Sequence, residues 1–544
     1  MRGEEAGGMN LGSLGQDNIQ KFGEYESIYY EGKWYTNVEM EMQSNRLGNA
    51  LKSLGIQRGD RVVIQMPNSP VVIWSFPAIY KIGAIAVPMN PLLRPDQAAY
   101  IFQDCGAKAV VTSPDFAPWV QAAQKQAHDL KHVIVTEKGD IPDTIFYDTL
   151  VSNHSESLKI EETDNDDTAA LIYTAGTTGP NKGVMQSHFS LYMTALGYGD
   201  FVLRYRSATV EIKSSMVDVR THKLMEVERR VTGGNRLALS LFVLPLSHSY
   251  GLATSLMGVI SAMRGIVMKW FNPELALKLI QEFRVTNFSG VPTMYIMMLN
   301  HPDFDKYDLS SLQECACGAA PLPPEIGRKW KEKTGTDIYE GWGMTETGAT
   351  TCGNRPNKPP RYGSIGVCMI KADTMKIFDD QDNELPPGKT GELVVKGPTI
   401  MKGYWNMPQE TASALRSGWL HTGDVGYMDE DGYFYITDRK KDIIIRGGEN
   451  VSPREVEEVL LEIPQIADAG VIGIKDEVYG EEIKAYCVLR KDELISTEDI
   501  LAYCKQKLPR YKVPKAVEII DALPKNLLGK LLRAELRKLE KQQG

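Results

Sequence analysis

Residues 173–184 read Tyr-Thr-Ala-Gly-Thr-Thr-Gly-Pro-Asn-Lys-Gly-Val, directly after the apolar run Ala169-Ala-Leu-Ile. An apolar strand that opens into a glycine- and threonine-rich loop predicts an α/β unit with a phosphate site at its mouth. Gly176, Gly179 and Gly183 let the backbone turn its N–H groups toward an anion; Thr174, Thr177 and Thr178 add hydroxyls, and Lys182 adds a cation. The phosphate loop of kinases and GTPases has glycine directly before its lysine and Ser or Thr directly after it. Here Asn181 and Gly183 flank Lys182, which weakens that reading.

Outward from the loop, short apolar runs alternate with helical patterns. Residues 61–66 and 83–88 read as strands around a helix ending near Lys81, and strands at 241–244, 265–270 and 286–289 surround a helix from about Pro273 to Phe283. The pattern predicts two doubly wound α/β sheets. Glycine-punctuated Thr- and Val-rich segments between 361 and 437 predict short antiparallel strands in a small distorted β-barrel. Past the charged run Arg439-Lys-Lys-Asp442 the chain resumes a compact α/β pattern of its own, which predicts domains at 1–438 and 439–544. The highly charged stretch 204–236 reads as a solvated insertion.

Hydrophobic residues make up 42% of the 544 and charged residues 24%, an ordinary balance for a soluble protein of several domains. A net charge of -9 offers no broad positive field, so nucleic acid is not an expected partner. Seven cysteines, scattered and without C-x-x-C pairs, fit a reduced, cytoplasmic protein. Cys315 and Cys317 read as core residues of a strand rather than metal ligands. No segment has the length and apolarity of a signal peptide or membrane span, so no integral membrane association is expected. A homodimer is left open.

Further motifs run in order down the chain: Leu244-Pro-Leu-Ser-His-Ser-Tyr-Gly251, Gly318-Ala-Ala-Pro-Leu322, Tyr339-Glu-Gly-Trp-Gly-Met-Thr-Glu346, Gly391-Glu-Leu393, Trp419-Leu-His-Thr-Gly-Asp424, Asp438-Arg-Lys-Lys-Asp442 with Gly447-Gly-Glu-Asn450, and Pro524-Lys-Asn-Leu-Leu-Gly-Lys530. Together with the loop they resemble the AMP-forming, adenylate-forming superfamily, which includes acyl-CoA synthetases, firefly luciferase and the adenylation domains of peptide synthetases. The resemblance spans residues 173 to 533. It implies a large N-terminal domain, a small mobile C-terminal lid, and two half-reactions. In the first, a carboxylic acid and ATP give an acyl-adenylate and pyrophosphate. In the second, coenzyme A takes the acyl group and AMP leaves. The alternatives are an acyl-AMP ligase loading a separate carrier protein, a luciferase-like oxygenase, and a nucleotide-binding homologue without catalysis.

The resemblance also implies roles. Thr174, Gly176, Thr177, Thr178, Gly179 and Lys182 would hold the β- and γ-phosphates, Thr345 the α-phosphate, and Glu346 the Mg²⁺. Trp342 would stack on adenine, with Gly318, Ala319, Ala320, Glu340 and Gly341 beside the nucleotide and Asp424 and Arg439 on the ribose. Lys530 would bridge the substrate carboxylate and the α-phosphate. Lys441, where many members carry aspartate, marks the hinge, and Gly447 and Gly448 line the pantetheine passage. His248, Ser249, Tyr250, Gly290, Gly318, Gly341 and Met344 would border the acyl group, and no aspartate stands in 246–250 to pair with an amino acid. The acid expected is therefore medium-chain fatty, alicyclic or aryl. With no Asp-Ser carrier attachment motif evident, coenzyme A is the expected thiol. His188 and His421 read as structural. Ala175 replaces the usual serine, and Pro180-Asn181 inverts the common order before the lysine.

Overall fold

The computed structural model describes residues 9–137, 141–174, 181–206, 238–370, 373–447, 449–476, 478–525 and 529–543. Loop positions Ala175, Gly176, Thr177, Thr178, Gly179 and Pro180, together with Gly448 and most of the charged stretch 204–236, lie outside the described residues.

Among the described residues the chain forms two compact units, one over 9–374 and 396–418, the other over 375–395 and 419–543. The first holds two mixed sheets. In one of eight strands, Arg61–Gln65, Ile85–Pro88, Ala107–Thr112, His132–Val135 and Thr168–Thr174 run parallel, and Lys182–Ser187 returns antiparallel beside Thr168–Thr174. Its inner strands are buried along nearly every residue, because helices such as Pro70–Lys81 cover the faces, as parallel sheets require. That helix begins where Ser69 Oγ accepts the Val72 N–H and Pro70 supplies the preset φ of a first turn.

The other sheet has nine strands, with Leu239–Phe242, Arg264–Val267, Asn287–Gly290, Glu314–Cys317 and Ile338–Trp342 parallel at its centre. Two doubly wound sheets were the expectation, and the observed strands fall within a few residues of the predicted ones. Helix Pro273–Phe283 is capped by Asn272, whose Oδ1 accepts the Leu275 N–H at 2.9 Å. Cys315 and Cys317 are buried in Glu314–Cys317, and burial pushes the Cys317 thiol well up.

The second unit contains an antiparallel sheet built from Thr374–Phe378, Gly391–Lys396, Trp419–Met428 and Phe434–Arg439, and a further sheet around the long hairpin Ile466–Asp476 and Gly480–Leu489. This unit starts ahead of residue 439 because strand Phe434–Arg439 is held by the chain that follows it. Arg454 Nη1 donates to the Ile436 carbonyl at 2.9 Å, and Ser452 Oγ donates to that of Thr437 at 3.1 Å. Among the described residues no helix is long and apolar enough to cross a membrane.

Candidate active site

In the first unit the carboxyl ends of the central strands of the nine-stranded sheet open onto a cavity. His248, Ser249, Tyr250, Gly318, Ala319, Glu340, Gly341 and Trp342 all line it, although they come from three separate motifs. The switch from strand to loop or helix at these ends gathers them, which is where ligands bind in open α/β sheets. His248 caps helix Ser249–Ser261, its Nδ1 accepting the Tyr250 N–H at 3.2 Å. Ala319 sits at φ +66°, a strained conformation for a residue with a Cβ, of the kind that clusters at ligand sites.

Room is scarce in this wall. A Cβ on Gly343 would lie 1.9 Å from the Ala349 carbonyl oxygen, and one on Gly341 would lie 2.9 Å from that of Cys352. At Gly318 the nearest atoms a Cβ would meet are in the Tyr250 ring at 3.3 Å and the Gly341 carbonyl oxygen at 3.4 Å.

Beyond Trp342 the chain turns through Thr345–Thr347. Thr345 and Glu346 are both buried. Gln186 Nε2 donates to the Thr345 carbonyl at 2.6 Å, and the hydroxyls of Ser249 and Thr345 lie 3.4 Å apart. Glu346 Oε1 accepts the Tyr404 hydroxyl at 2.9 Å. Lys182 Nζ stands over the Tyr404 ring, 4.9 Å from its centroid. A buried carboxylate with one oxygen fixed by a donor suits Mg²⁺, which takes oxygen ligands and needs only one or two carboxylates beside substrate phosphates. Among the described residues no group of three or more His, Cys, Asp or Glu side chains gathers as a metal site, so an ion at Glu346 would take its other ligands from phosphates and water.

In the second unit the hairpin Trp419–Met428 and Phe434–Arg439 sets Asp424 directly opposite Arg439, with Arg439 Nε 2.8 Å from Asp424 Oδ1. Asp424 is 2% exposed. Thr422, Gly423, Arg439, Lys440 and Lys441 line a recess of strongly basic character. The turn is braced by Glu392, which accepts the Gly423 N–H at 3.0 Å and lies 3.3 Å from His421 Nδ1, consistent with a structural His421. Lys530 is half-buried. Burial pushes its ammonium down to about 8, with Arg439 adding to the fall, Asp424 opposing it and Lys441 adding a smaller push. Its loop is closed at the base by the Lys525–Leu531 bridge and anchored beyond by Arg533, which grips both oxygens of Glu457 at 2.6 and 2.7 Å. Gly447, at φ +59°, donates its N–H to the Tyr479 carbonyl at 2.8 Å.

Some expected neighbours of the acyl group and nucleotide do not line the cavity. Gly290 lies one strand behind it, its carbonyl accepting the Gly318 N–H at 3.3 Å and its Cα hydrogens facing Phe288 and Tyr295. Met344 precedes the Thr345–Thr347 turn, its N–H donating to Thr347 Oγ1 at 3.1 Å, and neither it nor Ala320 is among the lining residues. His188 is structural as expected: its Nδ1 accepts the Leu11 N–H at 3.2 Å, and burial pushes it down to about 4. Residues that the sequence did not single out complete the site. Asn354, Gly353 and Met369 line the cavity, Gln186 holds Thr345, and Tyr404 joins Lys182 to Glu346.

The AMP-binding enzyme family model matches residues 15–405, and that of the AMP-binding enzyme C-terminal domain matches 455–530. A long-chain-fatty-acid–CoA ligase of Bacillus subtilis is 36% identical, over 97% of this chain and 94% of its own. An anthranilate CoA ligase solved with anthranoyl-AMP superposes with a TM-score of 0.86 at 27% identity, covering 99% of this chain and 98% of that one. The o-succinylbenzoate coenzyme A synthetase of Bacillus subtilis, solved with ATP and a magnesium ion, gives a TM-score of 0.80 at 29% identity over 96% and 99% of the two chains. With its motifs in family order and those around His248, Gly318 and Trp342 gathered at strand ends, the chain belongs to the AMP-binding enzyme family and is an adenylate-forming acyl-CoA ligase.

Proposed function

We propose that this ligase activates an apolar acid larger than acetate, a medium-chain fatty, alicyclic or aryl acid, and that coenzyme A is its thiol. The observation that carries the reading is the cavity lined by His248, Tyr250, Gly318, Gly341 and Trp342, mostly apolar and one hydroxyl contact from Thr345. The relatives named above act on a long-chain fatty acid, anthranilate and o-succinylbenzoate, which supports an aliphatic or aromatic acid.

The chemistry follows from the leaving group. A free carboxylate cannot expel oxide, so its oxygen attacks the α-phosphorus of ATP, the bond to the bridging oxygen breaks, and pyrophosphate departs with the electron pair. Negative charge grows on the phosphate oxygens as this happens. Thr345 donates its hydroxyl to the α-phosphate, and Lys530 places its cation between the carboxylate and that phosphate, drawing two anions together. Lys182 and Thr174 serve the outer phosphates. Asp424, with two acceptor oxygens, binds the vicinal ribose hydroxyls, and Arg439 holds Asp424 in place. Trp342 offers its face to adenine. Mg²⁺ bound at Glu346 would neutralise phosphate charge. The thiol of coenzyme A then attacks the acyl carbon and AMP leaves. Residues 439–544 act as the lid that serves each half-reaction in turn, with Gly447 and Gly448 on the pantetheine passage and Lys441 at the hinge. The buried cysteines fit a reducing, cytoplasmic setting.

The test is a panel of acids from butyrate through octanoate to benzoate and cyclohexanecarboxylate, read as acyl-CoA and AMP formed. Turnover favouring octanoate or a cyclic acid supports the reading. Preference for the shortest acid, or adenylate without thioester, overturns it.

A further inference from the structure

Tyr404 lies 58 residues from Glu346 and more than two hundred from Lys182, yet it touches both side chains. The short strand Gly403–Tyr404 adds to the edge of the eight-stranded sheet, antiparallel to Lys182–Ser187, with Tyr404 opposite Val184. Because side chains alternate along a strand, Lys182, Val184 and Gln186 share the face that Tyr404 occupies. That face makes two connections to the nucleotide-binding turn and one within itself. Gln186 holds the Thr345 carbonyl at 2.6 Å, the Tyr404 hydroxyl holds Glu346 Oε1 at 2.9 Å, and the Tyr404 ring lies under the Lys182 ammonium at 4.9 Å. Tyr404 is itself pinned: its N–H donates to Thr411 Oγ1 at 2.9 Å, and the neighbouring Trp405 N–H donates to the Gly183 carbonyl at 2.7 Å.

We propose that Tyr404 is a positioning residue that orients the Glu346 carboxylate for the divalent cation through its hydroxyl and steers the Lys182 ammonium through its ring. The two contacts are chemically separable. The hydroxyl fixes one carboxylate oxygen and leaves the other to face a metal, the arrangement in which partners of metal ligands set affinity. The ring face attracts the lysine through its quadrupole and has no part in the carboxylate contact. The proposal rests on Glu346 carrying the metal and Lys182 meeting the phosphates.

The test uses the whole protein with an ATP analogue bridged by methylene between its α- and β-phosphates, and Mn²⁺ as the probe, free ion being read by electron paramagnetic resonance. Tyr404→Phe removes only the hydroxyl. It should weaken Mn²⁺ binding to the protein–analogue complex about tenfold, while metal-free affinity for the analogue stays within about twofold. Tyr404→Leu removes ring and hydroxyl, and should add about a threefold loss of analogue affinity. Glu346→Gln is run alongside. A Mn²⁺ titration shifted by Glu346→Gln but not by Tyr404→Phe overturns the positioning role alone. An unchanged titration in Glu346→Gln overturns the metal reading and the positioning role with it. Analogue affinity unchanged in Tyr404→Leu overturns the ring's role on Lys182; should Tyr404→Leu fail to fold, Tyr404→Phe still decides the hydroxyl's role on Glu346, since it keeps the ring and its packing.

Discussion

The cavity of the first unit and the charged hairpin of the second are built from opposite materials. The cavity owes its form to small residues and backbone: at Gly341 and Gly343 a single methyl group would collide with the carbonyl oxygens of Cys352 and Ala349. The hairpin owes its character to charge, with Asp424 against Arg439 and a half-buried Lys530 held down to about 8. Volume is the tight constraint in the one region, charge in the other. On the proposed function, shape selects what enters and charge sets the rate of adenylation.

The largest effect should come from the second region. Lys530→Ala is expected to cut acyl-adenylate formation by roughly 100- to 1000-fold, the cost of losing one preorganised donor at developing charge. Thioester formation from supplied acyl-adenylate and coenzyme A should stay near normal, and equal loss in both halves would contradict the assignment. The same group should set a pH limb. The ammonium is the active form, so as pH rises through about 8 the protonated fraction falls, and kcat/KM for adenylation should drop about tenfold per unit beyond that point. Lys530→Arg keeps a cation that does not titrate there and should flatten the limb; persistence of the limb would assign it to another group.

A smaller and more selective effect should follow in the first region. Gly318→Ala puts a methyl group in ordinary to tight contact with Tyr250, a ring that can give by a few tenths of an ångström. It should raise KM for the bulkier acids a few-fold while leaving the pH limb where it stands. Uniform loss for every acid, or a displaced limb, would erase the division between shape and charge.

Much of this site was legible because its motifs sit on contiguous stretches. The apolar run before residue 175 predicted strand Thr168–Thr174, and the strands and helix around 61–88 emerged within a few residues of expectation. The glycines of 318 and 341 and the aromatic Trp342 face one cavity, since adjacent parallel strands end side by side. What escaped was the product of sheet assembly. Tyr404 reaches Lys182 only because a two-residue strand completes the sheet edge, and nothing near residue 404 says which strand it will join. Gln186 is a polar residue on an alternating strand until its partner, the Thr345 carbonyl, arrives from 159 residues away. Gly290 carries a packing constraint that the sequence did not show: a Cβ there would press on Phe288 and Tyr295.

The central claim is that the acid is first joined to AMP, before any thiol takes part. Exchange of labelled pyrophosphate into ATP, followed in the absence of coenzyme A, tests it most directly. The account predicts exchange that requires both a carboxylic acid and a divalent cation and that collapses in Lys530→Ala. Exchange without acid, or none with any acid while thioester still forms, would contradict it.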